Sequence, residues 1–173
     1  SDVYKRQIKD SLDWLKANNC TPLPLKDCCN TSEILFLCVK PQDMPSLCKE
    51  LSGEINENQS IVSVAAGIKY ESLKNSLPTK KIFRAMPNVG AKDNLGITAI
   101  FSDTDNTEIL EIFKFLGEAY EVENEDQVDL HTVLIGSGPA FFYELLSEFE
   151  KRMDALVQEK DVKRLISIVF LSS

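Results

Sequence analysis

Ile34-Leu35-Phe36-Leu37-Cys38-Val39-Lys40-Pro41 is the stretch that decides the fold. Its unbroken apolar run does not alternate, which suits a strand buried on both faces of a parallel sheet. Pro41 then fits the start of a helix. Met44, Leu47, Cys48 and Leu51 recur at helical spacing until Gly53 ends the segment. One buried strand followed by one amphipathic helix is the repeating unit of an α/β sheet.

The unit recurs downstream. Ser60 to Val64 reads as the next strand and closes on Ala65-Ala66-Gly67. A short helix with Leu73 and Leu77 follows, stopped by Pro78. Lys81 to Arg84 is a third strand leading into Met86-Pro87-Asn88, and Gly96 to Phe101 is a fourth. Asp105 can cap a helix with Glu108 placed for a capping box, and Gly117 fits its C-terminal end. Ala119 to Val122 is a short strand candidate. Upstream, Ile8, Leu12 and Leu15 share a helix face that Asn18-Asn19 can end, and Pro22 and Pro24 break the next stretch.

Beyond about Asn124 the pattern is helical only. Val128, Leu130, Val133 and Leu134 suggest one helix, and Pro139 opens another. That second helix carries the stripe Phe142, Leu145, Leu146, Phe149, Met153 and Leu156. Val162 to Leu171 is apolar on nearly all sides. The expected architecture is a doubly wound parallel α/β sheet over residues 1–124, followed by the start of an all-α domain over 125–173.

Composition narrows the function classes. The 173 residues are 43% hydrophobic and 27% charged, with a net charge of −8. Lys and Arg are scattered rather than striped, so nucleic acid is not expected as a partner. No apolar run reaches about 18 residues, so no membrane span is expected. The five cysteines, Cys20, Cys28, Cys29, Cys38 and Cys48, form no C-x-x-C pair, and His131 is the one imidazole. Free thiols in the reducing cytoplasm, and no metal, are the expectation.

In an open α/β sheet, ligands lie beyond the carboxyl ends of the strands. Val39-Lys40-Pro41 and Ala65-Ala66-Gly67 fall at two such ends. The small residues let a flat ring or ribose approach the backbone, and Lys40 brings a cation. Gly136-Ser137-Gly138-Pro139-Ala140 opens a helix that could face them. No G-x-G-x-x-G follows a first strand. Each triplet alone is equally compatible with a tight turn.

Taken together and in order, these runs resemble the pyrroline-5-carboxylate reductases. The matching residues are Phe36 to Pro41, Ser63 to Ile68, Arg84-Ala85-Met86-Pro87-Asn88, Gly96 to Ala99, Asp129 to Thr132, and Gly136 to Ala140. The resemblance implies a Rossmann-like domain, a dimerising helical domain, and reduction of 1-pyrroline-5-carboxylate to L-proline with NADPH or NADH. It implies that Val39, Lys40 and Pro41 line the ribose and phosphate side of the cofactor. Ala65, Ala66 and Gly67 would lie against the nicotinamide half, with Asn88 bordering the cleft. Ser137, Gly138 and Pro139 would face nicotinamide and substrate. No nucleophile or general base is implied, because the cofactor supplies the hydride.

The chain departs from that pattern at three positions. Val89-Gly90 stands where the family has Thr-Pro, Ile135 where it has Ser, and Phe141 where it has Tyr. The family's first strand with its glycine loop, and a later Gly/Thr-rich loop, have no counterpart here. The expectation is therefore the central part of a reductase, poorly active alone. An inactive truncated product, an interaction module or another nicotinamide-dependent dehydrogenase remain alternatives. His131 reads as a surface or junction residue. Lys5 and Arg6 read as solvated, with an adenosine 2′-phosphate as their possible partner.

Overall fold

The computed structural model describes residues 12–157. Ile8, Lys5, Arg6 and the Val162–Leu171 segment lie outside the described residues, as do the side chains of Met153 and Leu156. Residues 12–17 are helical, and the helix ends where expected, with Asn19 in the left-handed region at φ 59°.

Five strands form one sheet in the order β1-β2-β3-β4-β5. They are β1 (Ile34–Leu37), β2 (Ser60–Ser63), β3 (Ile82–Pro87), β4 (Gly96–Phe101) and β5 (Gly117–Glu121). After the 12–17 helix, six further α-helices follow among the described residues: α1 (Leu25–Thr31), α2 (Met44–Leu51), α3 (Tyr70–Ser76), α4 (Thr107–Lys114), α5 (Glu125–His131) and α6 (Gly138–Val157). Neighbouring residues on a strand point to opposite faces, and the core divides accordingly. Ile61 and Ile82 meet Cys29, Met44, Cys48, Leu51, Tyr70 and Leu73 from α1 to α3. Val62 and Phe83 meet Ile109 and Phe113 of α4 on the other face. Helices therefore cover both faces, as the continuous apolar strands require.

The sheet is not parallel throughout. β1, β2 and β3 are parallel, β4 runs antiparallel to β3, and β5 is parallel to β4. The reason is chain length: Asn88–Leu95 alone separates β3 from β4, too short for a helical crossover. A 3-10 turn over Val89–Asp93 and Asn94 at φ 58° reverse the chain there.

Three local expectations are corrected. Asp105 and Glu108 form no capping box among the described residues; α4 starts at Thr107, and Asp105 Oδ1 instead accepts from the Thr107 amide at 3.1 Å. The box sits before α5, where Asn124 and Gln127 bond each other's backbone amides reciprocally. Gly117 does not cap α4 but opens β5 opposite its register partner Gly96. Finally, Pro139 lies at the second residue of α6, as expected, but no loop separates that helix from α5. The chain stays helical from α5 through a π turn over Thr132–Ser137 into α6. Proline lacks the amide hydrogen an α-helix would use at that point, and a wider turn accommodates the loss.

α5 packs back on the sheet: Val128 is fully buried with Met86, Ala99 and Val122. Leu130, Val133 and Leu134 are exposed, so the rest of that expected stripe does not form core. No helix among the described residues is long and apolar enough to cross a membrane.

Candidate functional site

Because β1, β2 and β3 are parallel, their carboxyl ends share one edge of the sheet. The register fixes the match: Leu37 lies beside Ser63, and Ser63 beside Arg84. The backbone amide of Val64 donates to the Leu37 carbonyl at 3.3 Å, and the two chains then separate. Val39-Lys40-Pro41 leaves β1 as a turn in which Val39 packs half-buried against the core while Lys40 and Pro41 are exposed, with Lys40 capping a 3-10 turn that starts at Pro41. Beside it, Ala65-Ala66-Gly67 leaves β2. The two triplets and Asn88, just past β3, are thus brought to one edge.

Each residue of the second triplet has a different position. Ala65 is 6% exposed and belongs to the core. Ala66 and Gly67 face outward. Gly67 sits at φ +73°, and a Cβ built on it would meet nothing within 4 Å. The turn thus has open space above it and a backbone conformation that favours glycine. A flat group can approach the main chain here. Asn88 is half-buried, and its Oδ1 accepts from the Ile97 amide at 3.1 Å, so Nδ2 is the side-chain atom able to donate outward.

The π turn ending at Ser137 packs against β3. Ser137 is exposed, while Gly138 and Pro139 are half-buried at the first residues of α6. π turns within helices recur at functional sites. His131 is a junction residue. Its Nδ1 lies 2.5 Å from the Gln127 carbonyl, and its ring packs edge-on against Tyr120.

The sequence reading missed the strongest electrostatic feature of this edge. Arg84 is 1% exposed in the centre of the sheet. Its Nη1 donates to Glu125 Oε1 at 2.5 Å and its Nη2 to Asp129 Oδ1 at 2.9 Å. Lys69, two residues after Gly67, donates to Asp129 Oδ2 at 2.8 Å and lies 3.5 Å from Asp126. The hydrogen bond from Lys69 holds the Asp129 carboxyl below the usual carboxylate range, against the cost of burial and with help from Arg84. The signal was available: a lone arginine in an apolar strand needs partners, and carboxylates at Glu125 and Asp129 share one helix face.

A cavity of about 540 Å³ lies at the opposite edge, by the starts of β1, β2 and β3. Gln59 lines it, but its amide is spent on the Cys29 and Ser32 carbonyls. A smaller cavity of about 220 Å³ opens between α2 and α3 and reaches Gly67 and Lys69.

The family described as NADP oxidoreductase, coenzyme F420-dependent, matches residues 3–67. Pyrroline-5-carboxylate reductase 1 of Bacillus subtilis is 32% identical over 150 residues, covering 83% of this chain and 50% of that protein. The Haemophilus influenzae pyrroline-5-carboxylate reductase is 31% identical over 169 residues, covering 94% of this chain and 60% of that one. The chain is a relative of the pyrroline-5-carboxylate reductases. It spans about half the length of the curated pyrroline-5-carboxylate reductases it matches. Among solved structures, the Coxiella burnetii pyrroline-5-carboxylate reductase superposes with a TM-score of 0.82 at 24% identity, covering 94% of this chain and 64% of that one. The Plasmodium falciparum pyrroline carboxylate reductase, solved with NADP bound, gives 0.80 at 18% identity over 88% of this chain and 60% of that one. The Rossmann-like α/β fold leading into part of a helical domain is thus that of these reductases.

Proposed function

We propose that this chain contributes the nicotinamide-binding edge and domain junction of an NAD(P)H-dependent reductase that converts 1-pyrroline-5-carboxylate to L-proline. One observation carries the reading: the Val39, Gly67 and Asn88 turns leave parallel strands at a single edge of the sheet. The open space over Gly67 fits a nicotinamide ring or ribose. The exposed ammonium of Lys40 fits a phosphate.

In this reading the reduced nicotinamide, when bound, supplies the hydride for the imine carbon. The chain's own residues align and enclose the reactants. Val39 and Pro41 flank the ribose, and Lys40 neutralises phosphate charge. Ala66 and Gly67 leave the backbone accessible beside the ring, and Ala65 anchors their turn in the core. Asn88 Nδ2 and the Ser137 hydroxyl supply hydrogen-bond donors on either side of the cleft, with Gly138 and Pro139 shaping the helix start. No side chain is assigned as nucleophile or general base.

We further infer a division near Asn124 between the nucleotide-binding part and the helical part, and a homodimer through the latter. The exposed aromatic residues of α6 support the dimer. Five cysteines without a disulfide support a reducing, cytoplasmic setting. The test is NADPH oxidation coupled to proline formation from 1-pyrroline-5-carboxylate, with nucleotide binding measured separately. Binding of NADPH or NADH that Ala66→Leu weakens is the expected result. A chain that binds neither nucleotide overturns the reading.

A further inference from the structure

The cofactor edge as assigned makes no use of Arg84, although the strand buries it completely. A guanidinium in that position loses its hydration and needs fixed counter-charges. Both come from α5, and each carboxylate also holds something else. Glu125 Oε1 accepts from Arg84 and from the backbone amide of Tyr70, each at 2.5 Å. Asp129 gives one oxygen to Arg84 and the other to Lys69. Lys69 and Tyr70 follow directly on the Gly67 turn. Arg84 lies on β3, which ends one residue before Asn88. Glu125 and Asp129 stand on the helix that continues into the π turn and Ser137.

We propose that Glu125 and Asp129 are positioning residues: they tie the segment after Gly67 to Arg84 and so hold the Gly67, Asn88 and Ser137 turns in one fixed arrangement. The proposal rests on reading those turns as nucleotide and substrate contacts. Burial is graded along the network. The side chain of Arg84 is 2% exposed, Glu125 21%, Asp129 37% and Lys69 49%. The Lys69 arm can therefore be cut without stranding a buried charge, and the Arg84 arm cannot.

The test uses Lys69→Met in the 173-residue chain, with Lys69→Arg as the charge-keeping control. Amide hydrogen exchange is read segment by segment, beside NADPH affinity and thermal stability. Exchange at residues 66–68 and 132–137 is expected to rise about tenfold, a change of ordinary size for coupled sites. The β2 and β3 amides should be unchanged, and Lys69→Arg should restore both turns. NADPH affinity should fall by a similar factor. Exchange that rises evenly through sheet and turns, or in neither turn, overturns the proposal. If no form binds a nicotinamide nucleotide, the functional reading fails, while the exchange pattern still decides whether the Gly67 and Ser137 turns are tied.

Discussion

Gly117 and Gly96 face each other across β5 and β4 so closely that a Cβ on Gly117 would stand 2.1 Å from the Gly96 carbonyl oxygen. The obstacle is backbone, which cannot swing aside, and Gly117 also sits at φ +133°. Gly117→Ala should therefore cost at least about 3 kcal/mol, in the range that marks a backbone conflict. Gly67→Ala meets only the left-handed penalty of about 1–2 kcal/mol, because its space is open. Urea unfolding of the two variants side by side checks the contrast.

Arg84→Met should destabilise the chain by about 3 kcal/mol, the low end for breaking a buried ion pair, since the abandoned carboxylates are partly exposed and regain water. Arg84→Lys should recover little, because one ammonium cannot span two separate carboxylates as the guanidinium fork does. The urea midpoints of both variants are the measurement.

Acid should weaken the same junction. The folded Asp129 carboxyl titrates below its unfolded value of about 3.9. Its contribution is therefore complete above that value and is lost as pH falls through the folded one. Lys69 is the mirror case: the hydrogen bond to Asp129 raises its ammonium, so its share is present below its ordinary value and lost as pH rises through the folded one. Unfolding curves from neutral pH downward should be steeper for the wild-type chain than for Asp129→Asn. Equal slopes would argue against the assignment.

Ala65 and Ala66 should respond oppositely to enlargement. Ala65→Leu overfills a packed core and should cost about 1–3 kcal/mol. Ala66→Leu projects into open space, should change stability by less than about 0.5 kcal/mol, and should lower nucleotide affinity. Thermal melts paired with NADPH titration separate the two.

Self-association should run through α6. Phe141, Phe142, Tyr143, Leu145 and Phe149 are each at least half exposed there. Burying each large apolar side chain would contribute about 1.5–3 kcal/mol, so Phe149→Asp should shift the chain toward monomer. Sedimentation over a concentration series gives the answer; a wild-type chain that stays monomeric contradicts the interface.

Four strands were legible because each has an apolar centre bounded by Gly, Pro or charge; β4 was found at both ends, Gly96 and Phe101. β5 carries Glu118 and Glu121, and it runs from Gly117 to Glu121 instead of the expected Ala119 to Val122. β1 stops at Leu37, two residues before the apolar run does, because pairing with β2 ends at Ser63. Strand direction is invisible in such runs, so the antiparallel β4 was missed. The turns after β1 and β2 were readable from small residues and Lys40. The two halves of the Arg84 cluster each left a trace, a lone charge in an apolar strand and a carboxylate pair on one helix face, but the pairing between them spans 41 and 45 residues and leaves no local periodicity. Pro139 marked the start of α6, but the π turn that joins α6 to α5 was not legible, because a proline is compatible both with a helix start after a loop and with a widened turn before it.

The π turn before α6 also sets a phase. One residue more or less in an α-helix rotates everything after it by about 100°. Deleting one residue from 132–137 would let the helix close with regular α geometry and swing the α6 aromatic residues by that angle about the axis. The same side chains would then be offered in a new direction relative to the sheet. Which way this protein presents its aromatic face is thus decided by the length of one turn, independently of the residues that make up the face.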